Sequence, residues 1–139
     1  MSIKVENVSY IYGKGTPFEK KAVDNVSFEI KSGEFIGLIG HTGSGKSTLI
    51  QLLNGLLKPD EGKIYINGTD ITAEKVNMKS IRKDIGLVFQ YPEYQLFEET
   101  VYKDISYGPL NFGMTKEQIA PVINEVTRLV GLDKSVLEK

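Results

Sequence analysis

Residues 40–48 read Gly-His-Thr-Gly-Ser-Gly-Lys-Ser-Thr, the G-x-x-x-x-G-K-[ST] pattern of a phosphate-binding loop. The pattern gains weight from its flanks. Glu34-Phe35-Ile36-Gly37-Leu38-Ile39 precedes it as an apolar run that reads as a strand, and Leu49 to Leu57 follows as a run that reads as a helix. Strand, glycine loop and helix in that order commit the chain to an α/β class. Gly40, Gly43 and Gly45 permit backbone angles and approaches that a Cβ hinders. Consecutive N–H groups across His41, Thr42, Ser44 and the glycines then form an anion nest at the positive end of the next helix. Lys46 is the cation for the β- and γ-phosphates, the Ser47 hydroxyl is a Mg²⁺ ligand, and Thr48 adds a phosphate hydrogen bond. His41 occupies a position that the motif leaves free and reads as an exposed loop residue, not a catalytic base.

Composition narrows the partners. With 40% apolar and 25% charged residues, the 139-residue chain resembles ordinary soluble globular sequence. A net charge of −1 gives no footprint for nucleic acid. Neither a bilayer-length apolar run nor a signal-peptide pattern is present, which points to the cytosol. The absence of cysteine excludes disulfides and thiolate metal sites. Asn7, Asn25 and Asn67 each open an Asn-x-Ser/Thr triplet, which carries no meaning without a secretion route.

Two segments echo each other, Val5-Glu6-Asn7-Val8-Ser9-Tyr10 and Val23-Asp24-Asn25-Val26-Ser27-Phe28. They predict antiparallel edge strands over 2–11 and 22–30 with matched alternation, not a repeat architecture. Lys58-Pro59-Asp60-Glu61-Gly62 is a turn, 63–66 a short strand, and Asn67-Gly68 a hairpin signal. A short helix is expected within 74–83 and a buried-type strand over Ile85–Phe89. Thr100 caps a helix running to Tyr107, with Pro109 just beyond its end. Thr115 and Gln118 form a capping box at the start of a longer helix. On that helix Ile119, Val122, Ile123, Val126, Leu129 and Val130 share one expected buried face, and Gly131 is the stop.

Among the classes that use this loop, a guanine-reading switch protein needs an Asn-Lys-x-Asp that is absent. A small-molecule kinase usually begins with its loop strand, whereas here that strand comes third. At Ser9-Tyr10-Ile11-Tyr12, at 40–48 and at 85–90 the chain resembles the ATP-binding subunits of ABC transporters. Tyr91-Pro92-Glu93-Tyr94-Gln95-Leu96-Phe97-Glu98-Glu99-Thr100-Val101, followed by Asp104 to Pro109, is similar to energy-coupling-factor (ECF) importers, cobalt-type ones included, and especially to the second of their paired ATPases.

The resemblance implies an N-terminal portion of an ABC ATPase, an antiparallel β-subdomain joined to the start of a RecA-like P-loop core. It implies ATP and Mg²⁺ as ligands. Tyr12, or failing it Tyr10, would stack on adenine, the alternative being a strand-end tyrosine packed on its neighbour. Gln90 would join Ser47 on Mg²⁺ and position water, and Lys46 would assist catalysis. Tyr91, Tyr94, Gln95, Leu96 and Phe97 would receive a helix of a transmembrane coupling subunit, unless they are core. A second ATPase subunit would complete the ATP sandwich, and a substrate-binding membrane subunit would act indirectly. The resulting expectation is a peripheral protein on the cytoplasmic face of the membrane, importing a vitamin or a cobalt or nickel ion. A soluble ABC-type ATPase and a small-molecule kinase are the alternatives.

The family also carries a Leu-Ser-Gly-Gly-Gln signature, a Walker B strand ending in Asp-Glu and a switch histidine, and none of these occurs in the 139 residues. Residues 1–139 therefore read as an ATP-binding domain truncated before those motifs. Such a chain alone is expected to bind MgATP weakly, to hydrolyse it negligibly, and to expose core edges and apolar surface.

Overall fold

A computed structural model describes residues 1–139 as two units, Met1–Leu87 and Val88–Lys139. In the first unit, β1 (Ile3–Tyr12), β2 (Lys20–Ile30), β3 (Glu61–Ile66) and β4 (Thr69–Asp70) form one sheet in the order β2-β1-β3-β4. Every pairing in it is antiparallel. The expected β-subdomain is present, with one correction. Only β2 of the echoing pair lies at an edge, because β3 hydrogen-bonds to the far side of β1.

The echo itself encodes paired bulges, not plain alternation. Val5 faces Phe28 and Val8 faces Val26, so β1 gains one residue around Asn7. Tyr10 then faces Val23, so β2 gains one around Asn25 and the two offsets cancel. Both asparagines take left-handed angles, φ 51° and 49°, which Asn tolerates better than most residues. The bonds that hold the bulges are reciprocal. Asn7 N–H donates to Ser27 Oγ at 2.8 Å, and Asn25 N–H donates to Ser9 Oγ at 2.9 Å. A strict period of two would put Val5 and Val8 on opposite faces. The bulge brings both into one core, and Val23 joins them there. Gly62 must lack a Cβ because one would overlap the carbonyl oxygens of Glu6 and Asn7 at this bulge.

The core joins this sheet to α1 (Lys46–Leu53): Val5, Val8, Val23, Ile64, Ile66 and Ile71 pack with Leu49 and Leu52. The helix stops at Leu53, short of the Leu57 expected from its apolar run. Gly55 turns left-handed at φ 69°, and Gln51 O accepts the N–H groups of Leu56 and Leu57. The expected hairpin at Asn67-Gly68 links β3 to β4. The short helix α2 (Met78–Asp84) starts later than expected, at an Asn77 side chain that accepts from Ser80 N–H.

Two expected strands do not form. Residues 34–39 and 85–89 carry no ladder pairing with the four strands of the sheet. A buried-type strand needs neighbours on both sides and cover on both faces. Neither is at hand here, and Phe35, Ile39 and Val88 are exposed by 100%, 96% and 78%. The expectation of bare apolar surface is met at these two runs.

The second unit contains α3 (Val101–Asn111) and α4 (Lys116–Leu129). Thr100 caps α3 as expected, its hydroxyl accepting from Lys103 N–H. The helix continues past Tyr107 with Pro109 inside it. Proline forfeits a single N–H bond at that point, and the helix ends soon after, with Phe112 N–H bonded to Gly108 O and Pro109 O. The capping box forms at α4, where Gln118 Oε1 accepts from Thr115 N–H at 2.9 Å. The buried stripe of α4 is Ile119, Ile123 and Thr127. Val126, Leu129 and Val130, expected on that face, are exposed. They lie a step around the helix from the i, i+4, i+8 line that meets the rest of the unit.

Candidate nucleotide site

The loop at 40–48 is built for close backbone approach. Gly43 and Gly45 take φ 82° and 89°, and Gly45 is the N-cap residue of α1. A Cβ on Gly45 would overlap Ala22 O, where β2 carries a further register offset between Val23 and Lys21. The bulged β-subdomain thus presses on the loop and requires glycine there. A Cβ on Gly40 would lie 2.6 Å from Ser44 Oγ.

The loop closes on itself through Ser44 N–H to His41 O at 3.2 Å, and α1 begins with Leu49 N–H to Gly45 O at 2.8 Å. The N–H groups of Gly43, Gly45, Lys46, Ser47 and Thr48 donate to no protein acceptor. Five donors clustered at a helix N-terminus, with its dipole behind them, suit a polyanion. Lys46 Nζ donates to Gly40 O at 2.6 Å and His41 O at 2.8 Å. An anionic phosphate oxygen would make charge-assisted bonds to it roughly twice as strong as those to neutral carbonyls. Ser47 is exposed in the first turn of α1, and its hard oxygen suits Mg²⁺. His41 is exposed and its Nδ1 lies 2.9 Å from Thr42 O, so the ring folds on its own loop.

Tyr12, at the end of β1, lies beside this loop. Its hydroxyl is 3.2 Å from Thr48 Oγ1, its ring meets the edge of Tyr10 at 4.9 Å between centroids, and 42% of the residue is exposed. Thr48 is buried, and its hydroxyl bonds to Tyr12. Of the two tyrosines, Tyr12 is the one that bonds the loop helix and is exposed, whereas Tyr10 is half-buried against the core.

In the sequence Asp60 reads as no more than a turn residue. In the structure it binds β1 and the turn after it in three ways. Oδ2 accepts from Ile11 N–H at 2.8 Å, Oδ1 accepts from Lys14 Nζ at 3.0 Å, and Asp60 N–H donates to Ser9 O at 3.0 Å. The Ile11 N–H, and then the Lys14 ammonium, hold its carboxyl below the ordinary range. No local signal marks this role, since Ile11 and Lys14 are both remote from Asp60 in the sequence.

Gln90 is exposed and belongs to the second unit. The segment after it forms a 3₁₀ turn over Pro92–Gln95. Tyr91, Tyr94, Leu96 and Phe97 are all exposed. Gln95 is exposed beside them. Asp104 Oδ1 accepts from the N–H groups of Phe97 and Glu98, and Phe97 stacks edge-on against Tyr107 at 4.8 Å.

Residues 23–139 match the sequence profile of the ABC transporter family. The chain belongs to that family. As an ABC transporter sequence it is 60% identical over 139 residues to the energy-coupling factor transporter ATP-binding protein EcfA2 of Caldanaerobacter subterraneus subsp. tengcongensis, covering 100% of this chain and 49% of that one. To the protein of the same name from Clostridium tetani it is 62% identical over 133 residues, covering 96% and 46%. This ABC chain therefore spans about half the length of the curated relatives it matches. Among solved structures, cbiO1 from Clostridium perfringens, described as part of the ABC transporter complex cbiONQ, superposes with a TM-score of 0.80 at 35% identity, covering 99% of this chain and 53% of that one. The bacterial ABC transporter cassette MJ0796, in a dimeric structure, gives 0.83 at 30% identity, covering 98% and 60%. These ABC cassettes place the antiparallel sheet and loop helix in the N-terminal part of the ABC fold. No helix of the chain is long and apolar enough to cross a membrane.

Proposed function

We propose that the chain is the nucleotide-holding part of an ATPase subunit that couples ATP binding and hydrolysis to import of a vitamin or of a cobalt or nickel ion by an ECF-type transporter. The observation that carries this reading is the 60% identity, across every residue of the chain, to a protein named as an energy-coupling factor transporter ATP-binding protein. The unpartnered N–H cluster at the start of α1 supports the nucleotide half of it.

In this reading the N–H groups of Gly43 to Thr48 and the Lys46 ammonium hold the phosphates, and Tyr12 stacks on adenine. Ser47 would hold Mg²⁺, which when bound offsets phosphate charge during transfer, and the family resemblance alone suggests Gln90 as a further ligand. The signature, the Walker B carboxylates and the switch histidine of the family do not occur within residues 1–139. The 139 residues alone therefore bind MgATP weakly and turn it over negligibly. A second ATPase subunit closes over the nucleotide, and ATP favours the closed pair. The exposed segment from Tyr91 to Phe97 seats the transmembrane coupling subunit, which holds the ATPase at the cytoplasmic face of the membrane.

The test is ATP-dependent uptake by the full polypeptide reconstituted with its membrane subunits in vesicles. Lys46→Ala abolishes uptake if the loop drives transport. Normal uptake by that variant refutes the assignment, and phosphorylation of a small acceptor in place of uptake identifies a kinase.

A further inference from the structure

We infer that Asp60 is a positioning residue for nucleobase recognition: its carboxylate clasps the end of β1 and thereby sets Tyr12 beside the phosphate loop. The inference rests on the nucleotide reading above and assigns a further residue to that site.

Three bonds converge on the end of β1 and the turn that follows it. Asp60 N–H reaches Ser9 O, Oδ2 takes Ile11 N–H at 2.8 Å, and Oδ1 takes Lys14 Nζ at 3.0 Å. Ile11 is next to Tyr12 in the chain, and Lys14 lies just beyond it. The clasp therefore brackets Tyr12 on both sides. Beyond Ser9↔Glu61, no residue of β1 pairs with β3, so residues 10–12 have a strand on one side alone. Asp60 supplies the missing support: its carboxylate takes the Ile11 N–H that a strand carbonyl would otherwise accept. Tyr12 in turn bonds to Thr48 Oγ1 in the first turn of α1. Asp60, Tyr12 and Thr48 thus form a line from the turn before β3 to the phosphate-binding helix. Asp60 makes no hydrogen bond to the phosphate loop and acts only through the aromatic residue. Loss of the clasp should loosen the contact with the base and spare the contact with the phosphates.

The test compares two ligands on the full polypeptide, MgATP and inorganic tripolyphosphate, by titration calorimetry. Asp60→Asn is expected to weaken ATP on the order of fivefold, the low end of the cost of losing a base–aromatic stack. Tripolyphosphate affinity is expected to hold. In a Tyr12→Ala background Asp60→Asn should have no further effect. Lys14→Met, which removes the side-chain partner and keeps the Ile11 bond, should give a smaller loss with the same ligand dependence, and serves where Asp60→Asn does not fold. Equal losses for both ligands, unchanged ATP affinity, or a full Asp60 effect without Tyr12 would each overturn the inference. Failure of the unaltered protein to bind tripolyphosphate would instead overturn the phosphate-loop reading beneath it.

Discussion

The Tyr12 hydroxyl lies 3.2 Å from Thr48 Oγ1, joining the last residue of β1 to the first turn of the loop helix. A strand end and a helix start far apart in sequence are thereby fixed to each other. The antiparallel sheet is thus more than a cover for α1. It carries an aromatic residue to the place where five backbone donors gather, and its Ala22 carbonyl dictates that Gly45 remain glycine.

Tyr12 can be separated into ring and hydroxyl. Tyr12→Phe keeps the ring and loses only the bond to Thr48, so MgATP affinity should fall by no more than a few-fold, in line with about 1 kcal/mol for one hydrogen bond. Tyr12→Ala removes the stack as well and should cost about 1–3 kcal/mol, or roughly five- to 150-fold in Kd. Calorimetric titration of both variants checks this. Equal effects would mean that the ring does not touch the base.

Gly45→Ala combines a left-handed backbone at φ 89° with overlap between the new Cβ and Ala22 O. A non-glycine residue held at such angles costs about 1–3 kcal/mol before any overlap is counted. Denaturant unfolding should show at least that loss, and phosphate binding should suffer as the loop shifts off β2. Gly43→Ala, with a similar φ and open space around its Cβ, should be less damaging.

The reciprocal bulge bonds give an unequal pair of outcomes. Ser9 is 3% exposed, while Ser27 lies at the surface. Removing the Ser9 hydroxyl leaves Asn25 N–H unpartnered in a part-buried setting, at a cost of about 1–3 kcal/mol. Ser27→Ala leaves Asn7 N–H free to bond water and should cost less than about 1 kcal/mol. Unfolding midpoints of the two variants measure the difference; equal losses would contradict the burial argument.

Local chemistry was legible in the sequence where it decides structure by itself. The loop, the Thr100 cap, the Thr115–Gln118 box and the Asn67-Gly68 hairpin all involve residues close along the chain. Elements that depend on distant partners are not legible in this way. Residues 34–39 and 85–89 have the composition of buried strands, but a strand exists only with a neighbour to bond. The paired Asn-x-Ser segments looked like alternation because the left-handed asparagines that break it are recognisable only once the two strands are in register. The role of Asp60 is hidden for the same reason, since its partners at Ile11 and Lys14 are remote in sequence. Gln90 and the aromatic segment were legible as residue types, and their exposure became clear only from the fold of the second unit.

Acid should weaken the clasp. The Asp60 carboxyl is held below its ordinary value of 3.8, first by the Ile11 N–H and then by Lys14. A lowered folded-state value means that its contribution to stability is present above the ordinary value. That contribution is lost as the pH falls below 3.8 through the folded-state value. Chemical denaturation of the unaltered protein and of Asp60→Asn across this range should show the stability gap between them closing toward low pH. A gap that stays constant with pH would show that the carboxylate charge contributes nothing.

The exposed segment after Gln90 gives the sharpest test of the proposed membrane partner. Tyr94 and Leu96 are 84% and 68% exposed on and just after the 3₁₀ turn. Substituting exposed side chains that bury little should change stability by no more than about 0.5 kcal/mol. Apolar and aromatic anchors at the centre of an interface commonly cost 2 kcal/mol or more when lost, and a new carboxylate facing an apolar partner adds a desolvation cost. Tyr94→Asp and Leu96→Asp, made together in the full polypeptide, should therefore reduce co-purification with the transmembrane coupling subunit by at least about tenfold. The melting temperature should stay within a few degrees of the unaltered protein, since the substitutions touch no core. Undiminished capture of the membrane subunit would remove Tyr94 and Leu96 from the interface and leave their exposure without a role in transport.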